Sequence, residues 1–421
     1  MAYPSRYISG IESSIADCSP VGCASAHFMA GHPLSDFPRF EYSMRDVRRA
    51  GEALAGDLIW TDETADGIRE IFRIANNWRD SHAFPMRKLR YELIGQIRRQ
   101  QVSGQTVARL KRMPSIRRKL RNISANLNQI QDLAGCRAIL PTINETNAVI
   151  NGLRDGSAHN LHNEADYINN PKSDGYRSHH MVFKFNGDGD EAVFNGRRVE
   201  IQVRSHLQHS WATAVEAVGM FRREDLKAGQ GNMEWLRLFQ LMSAEIALAE
   251  GCAAASGSEP RRERIREIIA LEKKLGATGT LEDTRQAVRY IEEYVTDPNS
   301  KPEYYLIKYD RQGGTVRVES HREPISGVTS LDTLEVTNSE KGEKNVNVVL
   351  VEADGIENLK AAYPNYFGDV QMFKDILQQI TTGAPGQEFV LPPQPAAPKK
   401  PYVKPDLSWF KRRRFPRPRG G

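Results

Sequence analysis

The sequence predicts a mixed α+β/α/β chain: a mixed β-sheet covered by helices, then a smaller C-terminal α/β unit and a basic tail without fixed structure. Three observations predict it. Strand-like alternation and helical spacing interleave from about Asp132 onwards, a second set of strands and helices lies between 301 and 383, and the composition then turns proline-rich.

Residues 1–62 are rich in Ser, Gly and Pro and show no sustained apolar period, so they are expected to be irregular. Ile68, Ile71, Phe72 and Ala75 share one helical face, as do Leu89, Leu93, Ile94 and Ile97 after Pro85, which predicts two helices. GCRAIL, HMVFKF and RVEIQV read as strands; in the last, Val199, Ile201 and Val203 alternate with Glu200, Gln202 and Arg204. Helices are expected over HLQHSWATAVEAVGMF and from Met233 to Glu250, closing a domain over 63–252. A linker with charged helices at 262–275 and 281–295 fills 253–300. The small unit at 301–383 has strands YYLIKYD, TVRVES and VNVVLVEA and helices IENLKAAY and QMFKDILQQI, and residues 384–421 are too proline-rich to pack.

With 421 residues, 39% hydrophobic and 26% charged, the chain can bury a sizeable core. No apolar run approaches the ~20 residues of a membrane span and the N-terminus lacks the plan of a signal peptide, so no membrane partner and a cytoplasmic location are expected. Four cysteines, Cys18, Cys23, Cys136 and Cys252, do not suggest a disulfide framework. Cys18, Cys23, His27 and His32 cluster, but at spacings that match no zinc finger. The net charge is +5, yet the segment from Lys399 to Gly421 alone carries +8 and leaves the remainder at −3. An arm of that kind, with Trp409, Phe410 and Phe415 among its cations, fits an RNA partner, docking on the protein itself, or a solvated tail.

VARLKRMPSIRRKLR places Arg109, Lys111, Arg112, Arg117, Arg118, Lys119 and Arg121 close together, a density that polyphosphate would neutralise and that a solvated helix face would equally display. Asp132 opens one predicted strand and Glu200 sits on the outward face of another. Two such carboxylates can hold Mg²⁺, which keeps water and substrate phosphates as its other ligands; each alone equally fits a salt bridge to Arg137 or Arg204. Between them DYINNPKSDGYRSHH sets Lys172, Asp174, Tyr176 and His180 around Gly175, suiting either a nucleobase stacked on Tyr176 or a core tyrosine.

The ordered blocks R-x-K-x-x-x-S-I-x-x-K-L (Arg109 to Leu120), D-L-A-G-x-R (Asp132 to Arg137), D-Y-I-x-N-P-K-x-x-G-Y-R-S-x-H (Asp166 to His180) and V-E-I-Q-V-R-S with the following W-A resemble the synthetase domain of RelA/SpoT alarmone synthetases, a nucleotidyltransferase-like fold. The resemblance implies transfer of the β,γ-pyrophosphate of ATP to a 3′-hydroxyl. Arg109, Lys111, Ser115 and Lys119 would contact ATP; Asp132 and Glu200 would hold Mg²⁺, with Glu200 also helping to deprotonate the hydroxyl. Lys172, Asp174, Tyr176 and His180 would bind the acceptor, and Gln202 and Arg204 would support the site. Replacing Asp132 with Ala is expected to abolish transfer and leave the thermal midpoint unchanged.

Three departures qualify the resemblance. No His-Asp dipeptide of a hydrolase domain occurs, so the protein is expected to synthesise and not degrade. Asp174 stands where relatives that use GDP or GTP have Asn, which makes adenine a competitor for guanine unless Asp174 faces solvent. The segment AAYPNYFGD, with Tyr363 and Tyr366, resembles the small domain of CapRel-type fused toxin–antitoxin proteins. That branch implies a domain folded back on the nucleotide site, the 3′-terminal adenosine of tRNA as acceptor, and a phage protein as trigger. The other readings are a (p)ppGpp synthetase using GDP or GTP, and a non-catalytic RNA-binding or partner-sensing scaffold.

Overall fold

A computed structural model of the chain describes residues 32–253, 259–286, 289–294, 302–310, 312–343, 345–367 and 370–382. The cluster of Cys18, Cys23 and His27 and the basic tail lie outside the described residues. Nine strands are described: β1 (Gln105–Leu110), β2 (Ala134–Leu140), β3 (Asn160–Asp166), β4 (His179–Lys184), β5 (Arg198–Ser205), β6 (Arg289–Tyr294), β7 (Tyr304–Asp310), β8 (Thr315–His321) and β9 (Val346–Ala353). They form one sheet in the order β3-β4-β5-β2-β1-β9-β7-β8-β6. Only β2–β5 and β6–β8 pair in parallel, so the expected mixed sheet is present.

The expected small C-terminal unit extends this sheet rather than standing beside it. β9 pairs antiparallel with β1, setting Val107 opposite Ala353, Ala108 opposite Glu352 and Arg109 opposite Val351. Side chains alternate strictly across the sheet, as the period of a strand demands. Ala108, Leu110, Val199, Ile201, Leu306 and Leu350 enter one core, beneath helices Ala83–Arg99 and Ile143–Gly156, while Val107, Ile139, Ile307 and Val351 enter another on the opposite face, with Leu359 and Tyr363. Polar residues in step with the second set, Arg109, Arg137, Glu200 and Gln202, therefore project towards that second face.

Four local expectations change. Residues 44–55 within the supposedly irregular segment are a helix: Ser43 caps it in a reciprocal pair with Asp46, and Val47, Ala50, Gly51 and Leu54 bury its inner face. Its many arginines concealed the narrow apolar stripe. VARLKRMPSIRRKLR is a strand, β1, followed by a helix, Met113–Asn122, with Pro114 in its first turn. The helix expected over 281–295 is Ala277–Gln286, and β6 occupies 289–294. Helix Pro324–Glu340 was not foreseen, because Ser, Thr and Val dilute its helical signal. Among the described residues no helix is long and apolar enough to cross a membrane.

Candidate active site

Arg109 and Lys111 at the end of β1, Asp132 and Arg137 around β2, Glu200 and Gln202 on β5, and Tyr363 line a single cleft. The two carboxylates are brought together by strand pairing: Gly135, three residues beyond Asp132, lies opposite Glu200 in the parallel β2–β5 ladder. Each is already hydrogen-bonded, but neither to Arg137 or Arg204. Asp132 accepts from Lys111 Nζ at 2.7 Å and Lys119 Nζ at 2.9 Å. Burial opposes its charge, the two ammonium groups outweigh that, and its pKa falls to about 2. Lys111 is shifted the other way: burial lowers its pKa despite Asp132, so this ammonium is held at some cost.

Glu200 lies within a hydrogen-bonded chain. Its Oε1 is 2.9 Å from His180 Nδ1, its Oε2 accepts from Gln202 Nε2 at 2.7 Å, and His180 Nε2 is 2.9 Å from the Tyr176 hydroxyl. Burial works against the Glu200 charge and the His180 contact more than compensates, so its pKa is lowered. β4 supplies His180 and β5 supplies Glu200 and Gln202, with His180 directly opposite Gln202 in the ladder.

The proposed acceptor residues gather at the turn before β4. Lys172 Nζ stands 4.7 Å from the centre of the Tyr167 ring and 5.1 Å from that of Tyr176, a cation over two aromatic faces. Tyr176 also packs edge-on to Trp211, so it is half-buried and belongs to both surface and core. Asp174 is taken up locally: its Oδ1 accepts from the Tyr176 amide at 2.9 Å, an Asx turn around Gly175. Gly175 has φ +93°, and a Cβ there would lie 2.9 Å from Ser243 Cβ. Arg204 is buried, its pKa pushed down to about 10 by burial and by Arg137, and it is not among the cleft-lining residues.

The basic run divides by function. Arg117 and Arg121 donate to the carbonyls of Leu54, Ala55 and Gly56, capping the end of helix 44–55, and Arg118 pairs with Asp225. Arg109 and Lys111 line the cleft; Lys119 is not among the lining residues but reaches it through Asp132, and Ser115, also not among them, is half-buried on the first turn of helix 113–122.

Arg137, read from the sequence only as a salt-bridge partner, is a cleft residue. Its guanidinium lies 5.2 Å from the Tyr363 ring centre, that of Arg109 lies 6.0 Å away, and Arg137 donates to the Ala362 carbonyl at 3.1 Å. Tyr363 follows the end of helix Ile356–Ala362, so the Y-x-x-Y pair is a helix terminus and a 3₁₀ turn. Tyr366 is buried against Tyr309 and Tyr363. For a divalent ion, no group of three or more His, Cys, Asp or Glu gathers among the described residues. The hard oxygens of Asp132 and Glu200 in one cleft fit Mg²⁺, whose remaining ligands are ordinarily water and substrate phosphate.

Residues 108–224 match the model of the region found in RelA / SpoT proteins, so the cleft lies within that region apart from Tyr363. The GTP pyrophosphokinase of Escherichia coli strain K12 is 26% identical over 215 residues, covering 49% of this chain and 24% of that protein. The chain thus spans about a quarter of the length of the curated relatives it matches. Among solved structures, small alarmone synthetase 1 from Bacillus subtilis is similar at 21% identity over 41% of this chain and 89% of its own, with a TM-score of 0.35. A GTP pyrophosphokinase family protein from Streptococcus pneumoniae is similar at 21% identity over 47% and 94%, also with a TM-score of 0.35.

Proposed function

We propose that this protein is an ATP-dependent pyrophosphotransferase that moves the β,γ-pyrophosphate of ATP to a 3′-hydroxyl, breaking the bond between the α-phosphate and the β-phosphorus and releasing AMP. The carrying observation is the convergence of Arg109, Lys111, Asp132, Arg137 and Glu200 on one cleft. Pyrophosphoryl transfer asks a protein mainly to hold the hydroxyl in line with phosphorus and to spread negative charge over cations. Arg109, Lys111 and Lys119 bind the polyphosphate, and Arg137 adds a fourth cation. Asp132 and Glu200 would hold Mg²⁺, which supplies charge neutralisation at the phosphates when bound. When ATP enters, Lys111 and Lys119 exchange Asp132 for phosphate oxygens. Glu200 accepts the proton of the attacking hydroxyl, and the His180 and Gln202 hydrogen bonds aim its carboxylate. Tyr176 stacks on the acceptor base, with Lys172 swinging from its ring face to the phosphate.

The acceptor we favour is the 3′-terminal adenosine of tRNA, whose modification inhibits translation in phage defence, with a phage protein such as a capsid protein as trigger. Autoinhibition by the C-terminal segment is supported by the Tyr363 ring, which takes the cation–π contacts of Arg109 and Arg137. A flat nucleobase would compete for the same guanidinium groups. The (p)ppGpp reading is favoured by the curated relative named a GTP pyrophosphokinase, and GDP or GTP is then the acceptor. Asp174 does not arbitrate, since its carboxylate serves the turn.

Incubation with γ-labelled ATP and, separately, GDP, GTP, AMP or deacylated tRNA separates these readings. Label in tRNA alone is expected; label in GDP or GTP alone gives the function to the second reading, and no label with any acceptor from either the wild type or Tyr363→Ala refutes the transferase. Tyr363→Ala is expected to raise transfer about tenfold, the scale of two partly desolvated cation–π contacts. Equal rates remove autoinhibition.

A further inference from the structure

The start of helix 113–122 lacks a cap of its own. Arg112 occupies the N-cap position with no side-chain hydrogen bond to the helix, and Pro114 has no N–H to offer. The Ser115 amide turns back to the Arg112 carbonyl at 3.0 Å, so the Met113 amide is the donor left to satisfy. Its acceptor comes from 222 residues further along the chain: Glu335 Oε1, at 2.7 Å. The other oxygen of the same buried carboxylate takes Arg79 Nη1 at 2.6 Å, which fixes its position against helix 65–80. One residue before the helix, Arg112 Nη1 donates to Asn347 on β9 at 2.9 Å.

We propose that Glu335 is a positioning residue for the donor-nucleotide site, fixing the start of helix 113–122 so that the helix holds Lys119 within reach of Asp132 at the edge of the cleft. The inference rests on the ATP reading above. Its consequence is that the C-terminal half has two separable roles. The segment at Tyr363 covers the cleft, whereas helix 324–340 and β9 complete it, so deleting everything beyond residue 300 abolishes nucleotide binding instead of releasing it. A carboxylate at a helix N-terminus opposes phosphate on charge alone. Here Glu335 is buried and engaged by Arg79, so it caps the helix without occupying the cleft.

The test uses the full chain carrying Tyr363→Ala as parent, with a non-hydrolysable ATP analogue and calorimetry. Glu335→Ala is expected to weaken analogue binding about tenfold, the scale of a lost N-cap. Glu335→Gln, which still accepts from the Met113 amide, is expected to restore most of the affinity. Asp332→Asn disturbs the same Arg79 cluster through a residue whose pairing is with Arg79, and is expected to lower thermal stability while leaving affinity within about twofold of the parent. Should Glu335→Ala fail to fold by circular dichroism, Glu335→Asp, one methylene too short to span Arg79 and Met113, is expected to show the same loss. Parent-like affinity in a folded Glu335→Ala or Glu335→Asp protein, or an equal loss in Asp332→Asn, overturns the inference. Failure of the parent itself to bind the analogue overturns the ATP reading and this inference with it.

Discussion

Asp132→Asn removes a charge without opening a cavity, and its cost can be worked from the two lysines. The shift of the Asp132 pKa from 3.8 to about 2 amounts to about 2 kcal/mol of stability at ~1.36 kcal/mol per unit. A carboxylate whose folded pKa is depressed contributes above its unfolded value and loses that contribution as pH falls through the folded one. The difference between wild type and Asp132→Asn should therefore be constant from pH 8 to 5 and shrink below pH 4. The lysine contacts revise the expectation that replacing Asp132 leaves thermal stability unchanged. At about 1 °C per kcal/mol in a chain of 421 residues, the midpoint should fall by about 2 °C. The assay is urea and thermal denaturation of both proteins with EDTA present, so that the carboxylate meets only Lys111 and Lys119. Transfer should fall at least about 100-fold in parallel, as expected when charge stabilisation at a reacting phosphate is removed. Unchanged midpoints at pH 7 refute the energetic reasoning, and a fully active variant refutes the metal-holding role.

Two further outcomes follow from buried contacts. Gly175→Ala forces a Cβ against Ser243 at a positive φ, so it should cost about 2 kcal/mol and raise the KM for acceptor with the KM for ATP unchanged, read by denaturation midpoints and steady-state kinetics. Glu352 on β9 is buried between Arg90 (3.2 Å) and Arg87 (3.5 Å); because Arg90 keeps Asp354 and Arg87 keeps Glu303, Glu352→Ala should cost about 1–3 kcal/mol, the scale of lost hydrogen bonds to a buried charged group, measured by urea unfolding.

The site motifs were legible because the chemistry needs particular side chains in local order. Alternation along RVEIQV puts Glu200 and Gln202 on one face, and the strand at β2 follows in the same way. Asp174 was legible as an unusual residue but not as a turn former, because an Asx turn and a base contact draw on the same carboxylate. Arg117, Arg118 and Arg121 fitted polyphosphate and a solvated helix face equally on sequence; nothing local distinguishes a cation that meets phosphate from one that caps a distant helix.

Local pattern thus settled six of the nine described strands, leaving out β1, β3 and β6, together with most helices and the residue types of the cleft, since periodicity and residue type act over a few positions. Long-range pairing settled the rest. The joining of β1 to β9, the arrival of Tyr363 beside Arg109 and Arg137, and the Glu335 carboxylate at the Met113 amide each link residues more than 200 positions apart. Such contacts depend on which surfaces bury each other once the chain collapses, and no periodic signal along the sequence encodes that choice.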